Sequence, residues 1–389
     1  MIDFNNTKSA FAHHSNWELK KAFYLFSIIK YGILVKLGSY FLKICFKLRF
    51  PIKNLVKKTI FSHFCGGENI NDCELKINHL FSFGIGTILD YSVEGKENNA
   101  DFENTKNEVI KTILFASENQ KCPFSVFKIT GLGRSSLIQK ASQNLNNLLD
   151  EEIVELDNIS NRIDQICETA FEHKVSVFID AEDSWYQNFI DSQAEKMILK
   201  YNIDQPIIYN TIQLYRHDRL SYMKNLIAKC EKSTIYLGLK LVRGAYMEKE
   251  REQAENLNYT DPIQINKKAT DLDFKAAVEY CFKKIDFVSI CVGTHNEASV
   301  SHLIQLMEDN NFNNNDNRIY FAQLLGMSDH ISFNLSNKKY NVAKYVPYGP
   351  IKEVLPYLIR RAEENTSVAG QTGRELSLIK KEIKNRKSI

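Results

Sequence analysis

Eight short apolar segments recur along the sequence, each followed by a polar turn and most by a helical stretch. The segments are IGTILDYSV (85–93), SVFKITGL (125–132), VSVFIDAE (175–182), PIIYNTIQLY (206–215), TIYLGLKLV (234–242), FVSICVG (287–293), RIYFAQLL (318–325) and NVAKYVPY (341–348). Helices are predicted at 151–173, 185–200, 218–232, 271–284 and 295–309, and a last helix begins near Pro350. This alternation predicts an α/β fold, a parallel (βα)8 TIM-like barrel. A doubly wound open sheet is the alternative, but no GxGxxG follows the first strand, which argues against a dinucleotide-binding unit.

A polar side chain stands at or near the carboxyl end of nearly every predicted strand. In a (βα)8 barrel these ends surround the mouth in which active sites lie. The residues are Asp90, Lys128, Asp180, Gln213, Lys240, Arg243, Thr294, His295, Gln323 and Tyr345. Such a ring predicts an enzyme whose site holds an anion between lysine and arginine side chains. No His/Cys cluster has the spacing of a zinc site, so no metal is predicted.

The segment YLIRRAEEN (357–365) places two arginines side by side in the last predicted helix. Adjacent helical residues point about 100° apart, so a surface pair gains nothing from adjacency. One stripe of this helix is formed by Tyr357, Arg360, Arg361 and Glu364. The stripe is either a solvated face with an Arg360–Glu364 ion pair, worth only ~0.3–0.5 kcal/mol, or a pair of guanidinium groups that binds a ligand.

The composition excludes several classes of protein. The 389-residue chain is 44% hydrophobic, which is enough for one large domain and an extension. A net charge of +3 does not indicate a strongly cationic nucleic-acid binder. The eight cysteines are scattered without a CxxC pair, and the first residues lack the pattern of a cleavable signal peptide. We therefore predict a cytoplasmic protein whose thiols are buried and reduced.

The first part of the chain is both basic and apolar. Between Trp17 and Ile60 there are ten Lys/Arg residues and one acid, Glu18. The longest charge-free run in the apolar stretch 22–50 is eight residues, too short to span a bilayer. Three interpretations stay open: helices packed on the catalytic domain, a basic amphipathic surface for an anionic membrane, or both.

The predicted domain division follows this change in composition. We predict a helical, basic extension over residues 1–75 and a barrel domain over residues 76–389. The Asn-rich segments 96–107 and 308–318 are predicted to be loops or linkers.

Three motifs resemble those of the proline dehydrogenases: KLVRGAYMEKE (240–250), YVPYG (345–349) and YLIRRAEEN (357–365). The segments FKITGL (127–132), FIDAED (178–183), THNEAS (294–299) and QLLGM (323–327) agree in order and spacing. The resemblance implies a (βα)8 barrel that binds FAD non-covalently. Such enzymes oxidise L-proline to Δ1-pyrroline-5-carboxylate and pass electrons to a membrane quinone.

The resemblance implies a substrate site without a dedicated catalytic base. Arg360, Arg361 and Lys128 would hold the proline carboxylate, which suits bidentate guanidinium contacts. Asp180 would hold the Tyr345 hydroxyl. The apolar box for the pyrrolidine ring would consist of Ala245, Tyr246, Leu324, Tyr345 and Tyr357. Hydride would pass directly from proline C5 to flavin N5 in a closed, dry site.

The resemblance also implies a set of cofactor contacts. Lys240 would lie near flavin N5 and O4, and Gln213 would bind the flavin pyrimidine. The pyrophosphate would be bound by Arg243 and by the backbone of Val242 and Gly244, because glycine allows close approach. The other contacts would come from Met247, Thr294, His295 and Glu364, of which Glu364 anchors an arginine. Met247 stands where some relatives carry a tryptophan that stacks on the cofactor, and methionine still packs there.

Other functions stay open at this point. Oxidation of 4-hydroxyproline is a close alternative, which Tyr345 argues against because its phenol leaves little room for a ring hydroxyl. A different flavin barrel acting on another secondary amine or a 2-hydroxy acid is a more distant alternative, and a non-catalytic membrane-associated scaffold is a third. The preferred interpretation adds peripheral contact with the inner face of the cytoplasmic membrane and a separate pyrroline-5-carboxylate dehydrogenase downstream. It includes no nucleic-acid partner.

Overall fold

The computed structural model describes residues 2–47, 50–93, 97–367 and 371–388. Eight parallel strands close into a barrel in sequence order. They are β1 Ile85–Tyr91, β2 Phe124–Phe127, β3 Ser176–Ile179, β4 Ile208–Gln213, β5 Leu237–Val242, β6 Val288–Gly293, β7 Ile319–Leu324 and β8 Val342–Tyr348. The predicted (βα)8 barrel is therefore confirmed, and the closed sheet excludes the doubly wound alternative.

All eight strands are shorter than the predicted apolar segments, and the shortening of β2 and β3 leaves a charged residue directly after each of them. β2 ends at Phe127 and β3 at Ile179, and these two residues pair across the strands. The next residues are Lys128 and Asp180. Each of these two strands therefore ends directly before a charged side chain.

Helices follow the strands and also form the N-terminal extension. They are α1 Thr7–Ala10, α2 Asn16–Ile29, α3 Gly32–Lys47, α4 Lys53–Val56, α5 Ser62–Phe64, α6 Ile70–Ser82, α7 Asn99–Ser117, α8 Ser135–Gln143, α9 Asp150–Glu172, α10 Ser184–Tyr201, α11 Arg219–Lys232, α12 Met247–Leu257, α13 Lys267–Phe282, α14 Glu297–Asp309, α15 Asp329–Asn337, α16 Ile351–Ser367 and α17 Gln371–Lys387. The predicted helices correspond to α9, α10, α11, α13, α14 and α16.

The predicted linker at 96–107 is wrong, because helix α7 begins at Asn99. Asn98 caps this helix, since its side chain accepts a hydrogen bond from the backbone N–H of Asp101. A buried face then runs through Phe102, Val109 and Ile113 at helical spacing. The Asn-rich composition indicates a loop, but here its first asparagine is a helix cap. The predicted loop at 308–318 is confirmed beyond the end of α14.

The chain divides into two compact units. Unit 1 consists of residues 1–94 and 323–389, and unit 2 of residues 95–322. In unit 1, β1 and β8 pair along their whole length. In unit 2, β2 to β7 pair in sequence order with regular parallel register. The predicted domain boundary at residue 75 stays a prediction.

The N-terminal helices pack on the C-terminal helices within unit 1. On α2, Leu19 and Phe26 share an apolar cluster with Ile379 of α17. On α3, Val35 lies in a second cluster that includes Leu358 of α16. The packed-helix interpretation is therefore confirmed for the inner faces of α2 and α3.

Within the described ranges, no single helix combines the length and the apolarity that a bilayer span requires. Helix α2 and the first part of α3 reach that length only as a pair, which is bent by 98° at the break between them. The eight cysteines are free and buried, as predicted. Burial raises the pKa of Cys122 to about 12 and that of Cys230 to about 11, so these thiols are protonated and unreactive at neutral pH.

Candidate active site at the strand ends

In unit 2, one carboxylate binds two lysines at the strand ends. Asp180 Oδ2 accepts a hydrogen bond from Lys128 Nζ at 3.3 Å, and Asp180 Oδ1 accepts one from Lys240 Nζ. Burial alone would raise the pKa of Asp180, but the two lysines outweigh it, and the pKa lies below its usual value. Because the lysines lower its pKa, the Asp180 carboxylate is a weak base. Since the triad has one cation in excess, it suits an anionic or electron-rich ligand.

The motif 240–250 leaves β5 through a sharp turn at Gly244 and enters α12. Gly244 has a φ of +132°, and a Cβ atom there would lie 2.3 Å from the ring of Tyr215. Only glycine therefore fits this turn. At the end of the motif, Glu250 accepts hydrogen bonds from the backbone N and the Oγ of Ser184 at 2.6 and 2.5 Å. These contacts fix the turn against the chain that follows β3.

Several residues of this turn are accessible to solvent rather than packed against the protein. Gly244, Ala245 and Met247 are exposed, and Met247 retains 44% of its accessible surface. Val242 and Tyr246 are half-buried. Their predicted contacts with substrate or cofactor stay predictions, but the turn leaves their groups accessible.

Gln213, the last residue of β4, carries an unsatisfied buried amide oxygen. The residue is 3% exposed, yet its Oε1 atom has no hydrogen-bond partner among the described residues. An unsatisfied buried acceptor costs ~1–3 kcal/mol, so this atom is suited to receive an N–H group from a ligand. The N–H of a flavin pyrimidine is such a group, and the predicted role of Gln213 fits it.

Among the other cofactor candidates in unit 2, Arg243 is held by neighbouring side chains, and Thr294 and His295 lie in the turn before α14. Arg243 Nη2 donates to Ser299 Oγ at 2.7 Å, and the same guanidinium pairs with Asp271. Thr294 Oγ1 accepts a hydrogen bond from the N–H of Asn296 at 3.2 Å, in the turn before α14. His295 lies half-buried in the same turn. This places Thr294 and His295 beside the positive end of α14, a favourable setting for an anionic group.

In unit 1, the arginine stripe lies on α16. Tyr357 and Arg361 are 5% and 8% exposed, and the Arg361 guanidinium lies 5.1 Å from the centroid of the Tyr357 ring. Arg360 is half-buried. A solvated helix face would expose these side chains, so that interpretation is wrong for this stripe. The side chain of Glu364 lies outside the described residues.

The same unit brings together two residues of the predicted ring-packing set. Leu324, at the end of β7, packs on the apolar cluster that contains Tyr357. Tyr345 is 7% exposed, and its carbonyl oxygen accepts a hydrogen bond from the N–H of Leu325 at 2.9 Å. The predicted hydrogen bond between Asp180 and the Tyr345 hydroxyl stays a prediction.

Two polar residues of the predicted ring have structural partners in unit 1. Asp90 Oδ2 accepts a hydrogen bond from Ser92 Oγ at 2.8 Å. Gln323 Oε1 accepts one from Ser332 Oγ at 2.8 Å. Both buried side chains therefore have hydrogen-bond partners within unit 1.

Glu182 is a buried acid that sequence analysis missed. Its carboxylate accepts hydrogen bonds from the backbone N of Thr130 at 3.1 Å and from Thr130 Oγ1. Burial raises the pKa of Glu182 to about 7 despite these bonds. The available signal was a second acid two positions after Asp180, in the FIDAED motif. Glu182 ties the chain after β3 to the chain after β2.

These features define a class of protein: a (βα)8 barrel, the fold whose enzymes bind their ligands at the carboxyl ends of the strands. The family model described as proline dehydrogenase matches residues 73–374. The chain belongs to the proline dehydrogenase family, whose members are oxidoreductases.

Similar proteins cover most of the chain. The mitochondrial proline dehydrogenase 1 of Dictyostelium discoideum is 30% identical over 98% of this chain and 74% of its own length. The hydroxyproline dehydrogenase of Xenopus laevis is 28% identical over 96% of this chain and 88% of its own length. A solved structure of proline utilization A from Bdellovibrio bacteriovorus matches with a TM-score of 0.73 at 19% identity. That match covers 91% of this chain and 38% of the larger protein, and it supports the fold alone.

Proposed function

We propose that this protein oxidises L-proline to Δ1-pyrroline-5-carboxylate, with FAD as the bound cofactor and a quinone as the final electron acceptor. The burial of Arg361 against Tyr357 on α16 carries the proposal. A guanidinium held this way is stripped of most of its water and suits a small carboxylate ligand. Because the chain belongs to the proline dehydrogenase family, we assign proline as the substrate whose carboxylate this guanidinium binds.

The residues of unit 2 fit a flavin. The unsatisfied Oε1 of Gln213 would accept the flavin pyrimidine N–H, and Lys240 would lie near N5 and O4. Arg243, with the backbone of Val242 and Gly244, would bind the pyrophosphate. The remaining contacts would come from Met247, Thr294, His295 and Glu364. The chemistry that FAD supplies when bound is acceptance, at N5, of the hydride from proline C5.

In this proposal, the chain's own side chains bind the substrate and favour its reactive form. Arg360, Arg361 and Lys128 hold the carboxylate, and each charge-assisted hydrogen bond is worth ~1.5–3 kcal/mol. The positive charge of these side chains favours the neutral amine, whose lone pair forms the C=N bond. Because the two lysines lower the pKa of Asp180 and make it a weak base, no dedicated base is assigned. The amine loses its proton to solvent before the site closes, and orientation in the closed site then supplies most of the rate.

The apolar box contributes substrate selectivity. Ala245, Tyr246, Leu324, Tyr345 and Tyr357 would enclose the pyrrolidine ring. Oxidation of 4-hydroxyproline is a second candidate function, because a hydroxyproline dehydrogenase is among the similar proteins. The bulk of Tyr345, 7% exposed in β8, favours the unsubstituted ring.

A quinone acceptor has consequences for the partners of the enzyme. Quinones of respiratory chains dissolve in lipid, so the reduced enzyme would meet its acceptor at the surface of a membrane, which makes the protein a peripheral one. The product is an imine, and its further oxidation to glutamate would need a separate pyrroline-5-carboxylate dehydrogenase.

The reaction is tested by incubating the purified, FAD-loaded protein with L-proline and a soluble quinone analogue. The expected result is proline-dependent reduction of the quinone, with one imine formed for each quinone reduced. Imine formation is measured by trapping it with an aromatic aldehyde that carries an ortho-amino group. A protein that holds FAD but forms no trapped imine would contradict the proposal.

A further inference from the structure

Helix α3 is apolar on two opposite sides. Its inner side packs on α16 through Val35, which lies in one cluster with Val354 and Leu358. Its outer side carries six large apolar side chains that are 37–76% exposed: Ile33, Leu34, Leu37, Tyr40, Phe41 and Ile44. Their spacing of three and four residues makes one continuous stripe along the helix. A helix with apolar side chains on two opposite sides is normally covered on both of them.

The outer side of α2 and the break before α3 continue this pattern. Trp17, Tyr24, Ile28 and Tyr31 are 56–74% exposed, at spacings of seven, four and three residues. We call these residues and the stripe of α3 the outer apolar surface. An isolated exposed leucine needs no explanation, but a contiguous surface of ten such residues marks a docking site.

The charges around this surface identify what covers it. No acidic residue occurs in the sequence between Glu18 and Glu68. Lys20, Lys30 and Lys36 are exposed on or between the same two helices. Two copies of this surface placed face to face would bring lysine against lysine. A bilayer with anionic headgroups accepts both the apolar stripe and the lysines, and tryptophan and tyrosine are the aromatic residues favoured at that depth.

We propose that the outer apolar surface lies in the interfacial layer of an anionic bilayer, with α3 parallel to the membrane plane. The mode is interfacial, because the break between α2 and α3 bends the chain by 98° and neither helix spans a bilayer alone. This proposal rests on the proposed function, because a quinone acceptor dissolved in lipid is the reason for the enzyme to bind a membrane. The helix that rests on the lipid packs directly on α16, which carries Arg360 and Arg361.

Vesicle binding tests the surface without any use of catalysis. The full-length protein is sedimented with vesicles of phosphatidylcholine alone, or with 30% phosphatidylglycerol (about one lipid in three), at physiological salt. The expected result is binding to the anionic vesicles and little binding to the neutral ones. Leu37→Ser/Phe41→Ser should weaken binding at least ~10-fold, because two exposed anchors are removed. Lys30→Gln/Lys36→Gln should weaken it roughly 30-fold, at about fivefold for each lysine.

A matched variant controls for the loss of exposed apolar area. Leu145→Ser/Leu257→Ser removes two side chains of unit 2 that are 60% and 64% exposed, against 62% and 60% for Leu37 and Phe41. This variant should bind as the wild type does. If Leu37→Ser/Phe41→Ser also binds as the wild type, the proposed surface is overturned. It is equally overturned if the protein ignores vesicles and the stripe variant instead converts a dimer to a monomer in light scattering.

Fluorescence adds a readout of depth. The chain has two tryptophans, so Trp185→Phe leaves Trp17 as the single reporter. Its emission should shift to the blue with anionic vesicles only, and an unchanged spectrum on bound protein would contradict insertion of α2. A protein that oxidises proline but does not bind vesicles overturns the surface alone. A protein that binds vesicles but leaves proline unchanged overturns the proposed function instead.

Discussion

The Nζ atom of Lys344 lies 2.8 Å from Oδ1 of Asp329, and the lysine side chain has no exposed surface. The same ammonium group donates to the carbonyl oxygen of Met327 at 2.5 Å. The other oxygen of Asp329 faces His13 Nε2 at 3.2 Å, in the N-terminal extension. One buried ion pair therefore joins β8, the start of α15 and the N-terminal segment within unit 1.

Replacing this lysine should be costly. Lys344→Met leaves the Asp329 carboxylate buried without its cation, and we expect a loss of roughly 3–5 kcal/mol in the free energy of unfolding. The control is Lys111→Met, which removes an exposed pair with Glu108 and should change stability by less than ~1 kcal/mol. Chemical denaturation of both variants measures the difference. Equal stabilities would contradict the importance of the buried pair.

The same region should make the protein sensitive to acid. Burial lowers the pKa of His13 and of His63 to about 4. Between pH ~6.5 and about 4 the unfolded chain takes up these protons and the folded chain does not, so stability falls as the pH falls. Each histidine contributes a slope of ~1.4 kcal/mol per pH unit at most.

His63→Gln tests this dependence. His63 Nε2 lies 3.0 Å from the carbonyl oxygen of Gly326, a contact that a glutamine amide can replace. Denaturation at several pH values should show a shallower slope for the variant, smaller by about one proton. An unchanged slope would show that His63 is not kept neutral in the folded protein.

The arginine pair should govern substrate binding. Arg360→Met should raise KM for proline and lower kcat/KM by about 10–150-fold, the equivalent of one charge-assisted hydrogen bond of ~1.5–3 kcal/mol. Lys352→Met, an exposed change on the same helix, should leave both constants unchanged. Flavin content should stay the same in both variants. An unaltered KM in Arg360→Met would remove Arg360 from the substrate site.

Gln213→Leu should preserve or raise the stability of the cofactor-free protein and lower the affinity of the protein for FAD. Without cofactor, the amide oxygen of Gln213 is buried and unsatisfied, so the variant should be as stable as the wild type or more stable. With FAD, the variant lacks the acceptor, and we expect FAD affinity to fall by about tenfold. Thermal denaturation with and without added FAD measures both effects. A variant that loses stability without FAD and keeps its affinity would refute this role.

The sequence was sufficient for the barrel and for placing several charged residues near its strand ends. Eight apolar runs, nearly all with a polar residue at or near the carboxyl end, are typical of a (βα)8 barrel, so Lys128, Asp180 and Lys240 were predictable as residues near strand ends. Their ion-pair triad was not, because it depends on the register that sets Phe127 beside Ile179. The pairing also decides that the pKa of Asp180 is lowered, which makes its carboxylate a weak base.

Other features needed three-dimensional information. Helix α7 was missed because asparagine indicates loops, while Asn98 acts as a cap. Glu182 is unremarkable in sequence, and only its burial beside Thr130 raises its pKa. The contact between His13 and Asp329 joins residues more than 300 positions apart, for which no local pattern exists.

The most direct test of the central claim is anaerobic reduction of the bound flavin. L-proline is added to one sample of the purified protein and trans-4-hydroxy-L-proline to another, and absorbance is followed at about 450 nm. We expect proline to bleach the flavin and hydroxyproline to do so at least tenfold more slowly, because Tyr345 restricts the ring pocket. Bleaching mainly by hydroxyproline would contradict the substrate, and a flavin that neither compound reduces would contradict the proposed reaction.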